Sequence, residues 1–114
     1  MRTQYPALLD LSGRKILVVG GGRVEMRKVE GLLAGGGTPD LLAPELVPGL
    51  AGMATAFGLV HRATDFAEGD TAGYAFVIAA TNDSGVNTRV ANEARESGAW
   101  VNVVDDPEAW NFTV

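Results

Sequence analysis

The sequence contains no cysteine and a single histidine, His61. Without cysteine there is no disulfide framework, no thiol nucleophile and no thiolate metal site, so by elimination the chain is expected in the cytoplasm. One histidine has no second to share an ion with, so no zinc site is expected, and no Ser-His-Asp arrangement is assembled from it. His61 reads instead as a structural or surface residue of a short strand. Cations are also scarce: 9 Lys and Arg against 14 Asp and Glu leave a net charge of −5. Nonspecific binding to nucleic acid or to an anionic membrane needs clustered cations, so neither partner is expected. No apolar run approaches the roughly 20 residues of a membrane span. The first residues lack the apolar centre of a signal peptide, and no repeat or low-complexity tract divides the chain. What remains is an ordinary globular composition, 46% hydrophobic and 20% charged over 114 residues, which suits a single domain spanning residues 1–114.

The chain is organised around Lys15-Ile16-Leu17-Val18-Val19-Gly20-Gly21-Gly22-Arg23-Val24-Glu25. An apolar run enters three glycines and an amphipathic pattern follows to Ala34, the strand, turn and helix order of a dinucleotide-binding unit. Glycines let the backbone approach a pyrophosphate, and the unpaired N–H groups of the following helix face its charge. A glycine-rich turn that holds no nucleotide would use the same residues. Read as G-x-G-x-x-G/A, the third place falls on Glu25, where a small residue is normally needed for close helix–strand packing. Its side chain is therefore expected to leave that contact toward solvent.

Around this unit the pattern alternates. Strands are expected at 15–19, 38–43 (shortened by Pro39), 59–62, 74–80 and 100–104, with helices at 23–34, 48–56 (frayed) and from about 84 to 97. Val24, Val29, Leu32 and Leu33 are the expected inward positions of the first helix. Such alternation predicts an α/β fold, a Rossmann-like parallel sheet in the order 3-2-1-4-5 with flanking helices.

Ligands of these sheets bind outside the carboxyl ends of the strands, where the order reverses. Gly20, Gly21, Gly22, Arg23 and Val24 would hold a pyrophosphate there, with Arg23 placed to approach phosphate. Ala43 and Pro44 close the second strand, while Thr81 and Asn82 after the fourth would flank the nicotinamide ribose. Asn102-Val103-Val104-Asp105-Asp106-Pro107 follows the fifth strand and offers a carboxylate near the reacting carbon. The second strand ends Leu41-Leu42-Ala43-Pro44-Glu45 without a cation, which favours NAD over NADP. Glu45 lies past the usual place of a ribose-binding acid and otherwise simply begins the next segment.

Tyr5-Pro6-Ala7-Leu8-Leu9-Asp10-Leu11-Ser12-Gly13-Arg14-Lys15, Val18-Val19-Gly20-Gly21-Gly22, Val24, Arg27-Lys28, Leu42-Ala43-Pro44-Glu45, Ile78-Ala79-Ala80-Thr81-Asn82-Asp83, Asn87, Arg89-Val90-Ala91 and Val101-Asn102-Val103-Val104-Asp105-Asp106-Pro107 follow one another through nearly the whole chain. In this the sequence resembles the NAD-binding module of siroheme synthase, the precorrin-2 dehydrogenase family. The resemblance implies NAD-dependent oxidation of precorrin-2, a tetrapyrrole, to sirohydrochlorin, joined in some members by insertion of iron or cobalt, a ferrochelatase activity. It matches Asp105 to the family's catalytic aspartate, a base for the proton released as the macrocycle aromatises. Asp106 reads as a turn residue before Pro107, and both acids also fit a plain turn. The sequence departs from the family at Glu25, where alanine is usual, and in the looser, more polar path from Ala34 to Asp40. Members continue into a dimerisation region and a helical domain, whereas this chain stops at Val114. A noncatalytic NAD-binding or sensing module is therefore the alternative, and a homodimer is left open.

Overall fold

The structure, a computed structural model, describes residues 11–103. Its elements run β1 (Ile16–Val19), α1 (Arg23–Ala34), β2 (Asp40–Leu42), α2 (Pro48–Phe57), β3 (His61–Arg62), β4 (Phe76–Ala79), α3 (Ser84–Glu96) and β5 (Trp100–Val103). The strands form one parallel sheet in the order β3-β2-β1-β4-β5, as the alternation predicts. Asp105, Asp106, Pro107 and Trp110, and the expected extended arm before Leu11, lie outside the described residues.

The sheet is covered on both faces, which is why β1 and β4 are apolar at every position and wholly buried. Alternation within β1 sends Ile16 and Val18 to one side, where Val29 and Leu32 of α1 and Leu50 and Ala54 of α2 meet them. Leu17 and Val19 point to the other side, against Val90, Ala91 and Ala94 of α3. Leu50 and Ala54 are four residues apart, one helical turn, so a helix that opens on Pro48 still buries a stripe. It ends on Gly58, whose φ of 66° is the left-handed cap that glycine adopts freely. β2 starts two residues later than expected, because Pro39 has no N–H to give the ladder. Among the described residues no helix is long and apolar enough to cross a membrane.

One expectation for α1 is overturned. Val24 is 42% exposed, while Glu25 is buried at 2% exposure. At 100° per residue, α1 turns Glu25 rather than Val24 toward β1, in register with buried Val29 and Leu32. The carboxyl stays because it finds a backbone donor there.

Candidate functional site

The carboxyl ends of β1, β2 and β4 open on a cleft of about 620 Å³. It lies where the connection from β1 turns toward β2 on one side and β4 stands on the other, the switch point of the sheet. That volume is in the range of small-molecule sites.

Its floor is the glycine turn. Gly20 has a φ of +116°, a conformation L side chains rarely adopt, and its N–H donates to the Leu42 carbonyl at 2.9 Å. Gly21 is required for a different reason: a Cβ there would collide with the Glu45 carbonyl oxygen. The connection from β2 to α2 is thus laid directly on the turn, and the Val47 N–H donates to the Gly21 carbonyl at 2.8 Å. Gly22 is the N-cap of α1.

Glu25 closes this floor from inside. Its Oε1 accepts the Gly22 N–H at 3.0 Å, the reciprocal half of a capping box. Its Oε2 is buried with no hydrogen-bond partner, and a Cβ on Gly20 would overlap it. Burial pushes the Glu25 carboxyl above the ordinary glutamate range, against the opposing pull of its own and the Gly22 backbone N–H. The spacing of Gly22 and Glu25 was the sequence signal for this geometry. It is hidden when Glu25 is read only against the dinucleotide motif.

The opposite wall is built on α3. Asp83 Oδ1 accepts the Gly85 and Val86 N–H groups at 2.9 and 3.1 Å, so this helix start is already capped. Buried Asn87 reaches back to Thr81: Oδ1 accepts the Thr81 N–H at 3.0 Å and lies 2.7 Å from the Thr81 hydroxyl, while Nδ2 donates to the Thr81 carbonyl at 3.0 Å. Three contacts to one residue fix the Thr81 loop where β4 ends. The segment after β3 adds Thr64, Asp65 and Phe66, and Arg89 stands over the Phe66 ring at 5.8 Å.

Of the sequence-predicted residues, Gly20, Gly21, Gly22, Ala43, Pro44, Thr81 and Asn82 all line this one cleft. Arg23 and Val24 do not line it: both side chains are exposed on the first turn of α1, and the third helical residue, Glu25, takes the inward position. Phe66 is a lining residue that no motif singled out, and Arg89, part of the family resemblance, was given no place in the site. His61 has the structural part expected of it, with Nε2 lying 2.8 Å from the Ala43 carbonyl, where it serves as the donor. Arg62, the cation nearest along the sheet to the end of β2, is engaged by Asp70 at 2.6 Å.

Residues 7–114 match a protein family described as putative NAD(P)-binding. The siroheme synthase of Chromobacterium violaceum is 43% identical over 108 residues, which is 95% of this chain and 23% of that protein. Siroheme synthase 2 of Aeromonas hydrophila is 42% identical over 107 residues, 94% of this chain and 22% of its own length. Among solved structures, SirC, precorrin-2 dehydrogenase, matches with a TM-score of 0.85 at 29% identity, covering 97% of this chain and 54% of that one. The chain therefore spans under a quarter of the curated relatives it matches.

Proposed function

The chain belongs to the putative NAD(P)-binding family of siroheme synthase and precorrin-2 dehydrogenase, and from that premise we propose that it binds NAD in the cleft and serves the oxidation of precorrin-2 to sirohydrochlorin. One observation carries the cofactor part of this reading. The glycine turn, the end of β2 and the Thr81 loop converge on a single cleft at the switch point. Gly20 and Gly21 admit no side chain, because the Glu25 carboxyl and the Glu45 carbonyl lie directly against them, so the turn keeps its backbone bare at the floor of the cleft.

In this reading the N–H groups of Gly21 and of the first residues of α1 hold the pyrophosphate. Asn87 keeps the Thr81 backbone and hydroxyl aligned beside the nicotinamide ribose. With Arg62 tied to Asp70 and no cation between Leu41 and Glu45, the ribose end suits a free 2′-hydroxyl, hence NAD rather than NADP. Bound NAD supplies the hydride acceptor. Asp105, two residues beyond the end of β5, is the proposed base, its carboxylate taking the proton that aromatisation releases.

The alternative is a module that binds NAD without turnover; the chain covers 54% of the precorrin-2 dehydrogenase it superposes on. Calorimetric titration with NAD, followed by an assay of precorrin-2-dependent NADH formation, separates the two. We expect saturable NAD binding and NADH formation, with turnover at least about 100-fold lower in Asp105→Ala, the general-base contribution. Binding without turnover leaves the module reading, and an Asp105→Ala chain of undiminished activity removes the base.

A further inference from the structure

The chemistry assigned to the cleft accounts for its glycines, its end of β2 and its Thr81 loop, but not for Glu25. A glycine turn before a helix presents unpaired N–H groups and a positive dipole end to any anion that enters. Here an anion is already built in. Glu25 folds back over the turn, and Oε1 takes the Gly22 N–H at 3.0 Å. Oε2 is buried against Gly20 with no partner. No ion pair to Glu25 exists among the described residues. The charged groups that line the same cleft are Glu45 from the β2–α2 connection, Asp65 from the segment after β3, Asp83 before α3, and Arg89 as the one cation. Asp83 differs from Glu25 in that its cap is made to α3, with two N–H partners on one oxygen. A carboxylate buried with one oxygen unsatisfied, inside a cleft lined by three further acids, is costly unless the site tolerates an anion at that point.

We propose that the Glu25 carboxyl is an internal stand-in for a ligand phosphate: it closes the glycine cradle in the free protein, and a dinucleotide binds only as Glu25 swings out and yields Gly22 N–H. Glu25 thereby sets the affinity of the cleft for phosphate-bearing nucleotides. The side chain is tethered one turn from its acceptor, so it competes at high effective concentration. It also opposes the incoming charge directly. This inference rests on the NAD reading of the cleft.

The test is calorimetric titration of NAD into the purified 114-residue chain and its Glu25→Ala and Glu25→Gln variants at neutral pH, with folding checked by circular dichroism. Glu25→Ala removes the competitor; Glu25→Gln keeps the acceptor for Gly22 N–H but removes the charge, and serves alone if the alanine variant does not fold. Both are expected to bind NAD more tightly, Glu25→Ala by about tenfold or more, roughly 1.4 kcal/mol. Adenosine, which carries no phosphate, is expected to gain nothing from either change. Equal or weaker NAD binding by the variants, with a wild type that binds, overturns the inference and leaves the cofactor reading intact. A gain shared by adenosine overturns it too, since the cleft would then merely have loosened. Absence of saturable NAD binding in all three proteins overturns the cofactor reading and this inference together.

Discussion

Asn87 and Glu25 are both buried polar residues at the cleft, and they sit at opposite ends of the cost of burial. Asn87 spends its amide on the Thr81 backbone and hydroxyl. Asn87→Ala strands a Thr81 N–H and carbonyl, so we expect a loss of about 2–3 kcal/mol in urea unfolding together with weaker NAD binding. Asn87→Asp, which keeps the acceptor, should lose less. Glu25 instead has one oxygen satisfied and one not. Burial raises its folded pKa above the unfolded one, so the protonated carboxyl is the better tolerated form. The folded state then binds the proton more tightly, and the stability it contributes is full below the ordinary glutamate range and lost as pH rises through the raised value. Wild type is therefore expected to lose stability relative to Glu25→Gln as pH rises above the ordinary glutamate range, measured by urea midpoints across a pH series. Parallel pH profiles for the two proteins would contradict it. At this scale the sequence was only partly legible. The glycines, Ala43, Pro44, Thr81 and Asn82 announced themselves through a motif or a strand end. The inward turn of Glu25 did not, because a dinucleotide register and a capping spacing share the residue and give it opposite directions.

Among the elements, the regular ones follow from the pattern and the irregular one does not. Tyr74 to Ala80 is apolar throughout, and Phe76–Ala79 is a central strand with a neighbour on each side. Gly22 and Ala34 bound α1, and Asp83 starts α3, as turn and cap chemistry leads one to expect. Residues 63–75, between β3 and β4, contain no helix or strand, yet they supply Thr64, Asp65 and Phe66 to the cleft. Their order comes from α3, far along the chain. Glu93 accepts the Gly69 N–H at 2.9 Å, the Thr71 N–H at 3.0 Å and the Thr71 hydroxyl at 2.5 Å. A local window cannot contain that bond set, which is why no periodic signal in the sequence marks the segment. Burial alone would push the Glu93 carboxyl up, but these donors outweigh it and hold it below the ordinary glutamate range. Its contribution is thus present above the unfolded pKa and lost as pH falls through the folded one. Glu93→Ala should cost on the order of 1 kcal/mol at neutral pH and speed amide exchange selectively across 63–75. Unchanged exchange across 63–75 would show that the segment is held by something else.

The described residues form two apolar clusters, one on each face of the sheet, and the same strands β1 and β4 contribute to both. Neither face can open without exposing the sheet that the other needs, so the described core should unfold in one transition seen alike by fluorescence and far-UV circular dichroism. The cleft draws on both layers: the glycine turn leads into α1 on one face, and the Thr81 loop leads into α3 on the other. A ligand held across it therefore ties the two faces together and stabilises the single folded state rather than one layer. NAD at about 100 times its Kd should add about 2.7 kcal/mol to unfolding. For a domain near this size that is a rise in Tm of roughly 10 °C. If Glu25 competes for the cradle, Glu25→Ala at the same NAD concentration should gain about 1.4 kcal/mol more, because its Kd is about tenfold lower. Calorimetric scans of both proteins, with and without NAD, read the two quantities from one set of curves. A shift confined to one of two separable transitions would mean that the ligand engages a single face, and the cleft would no longer be the place where the layers meet.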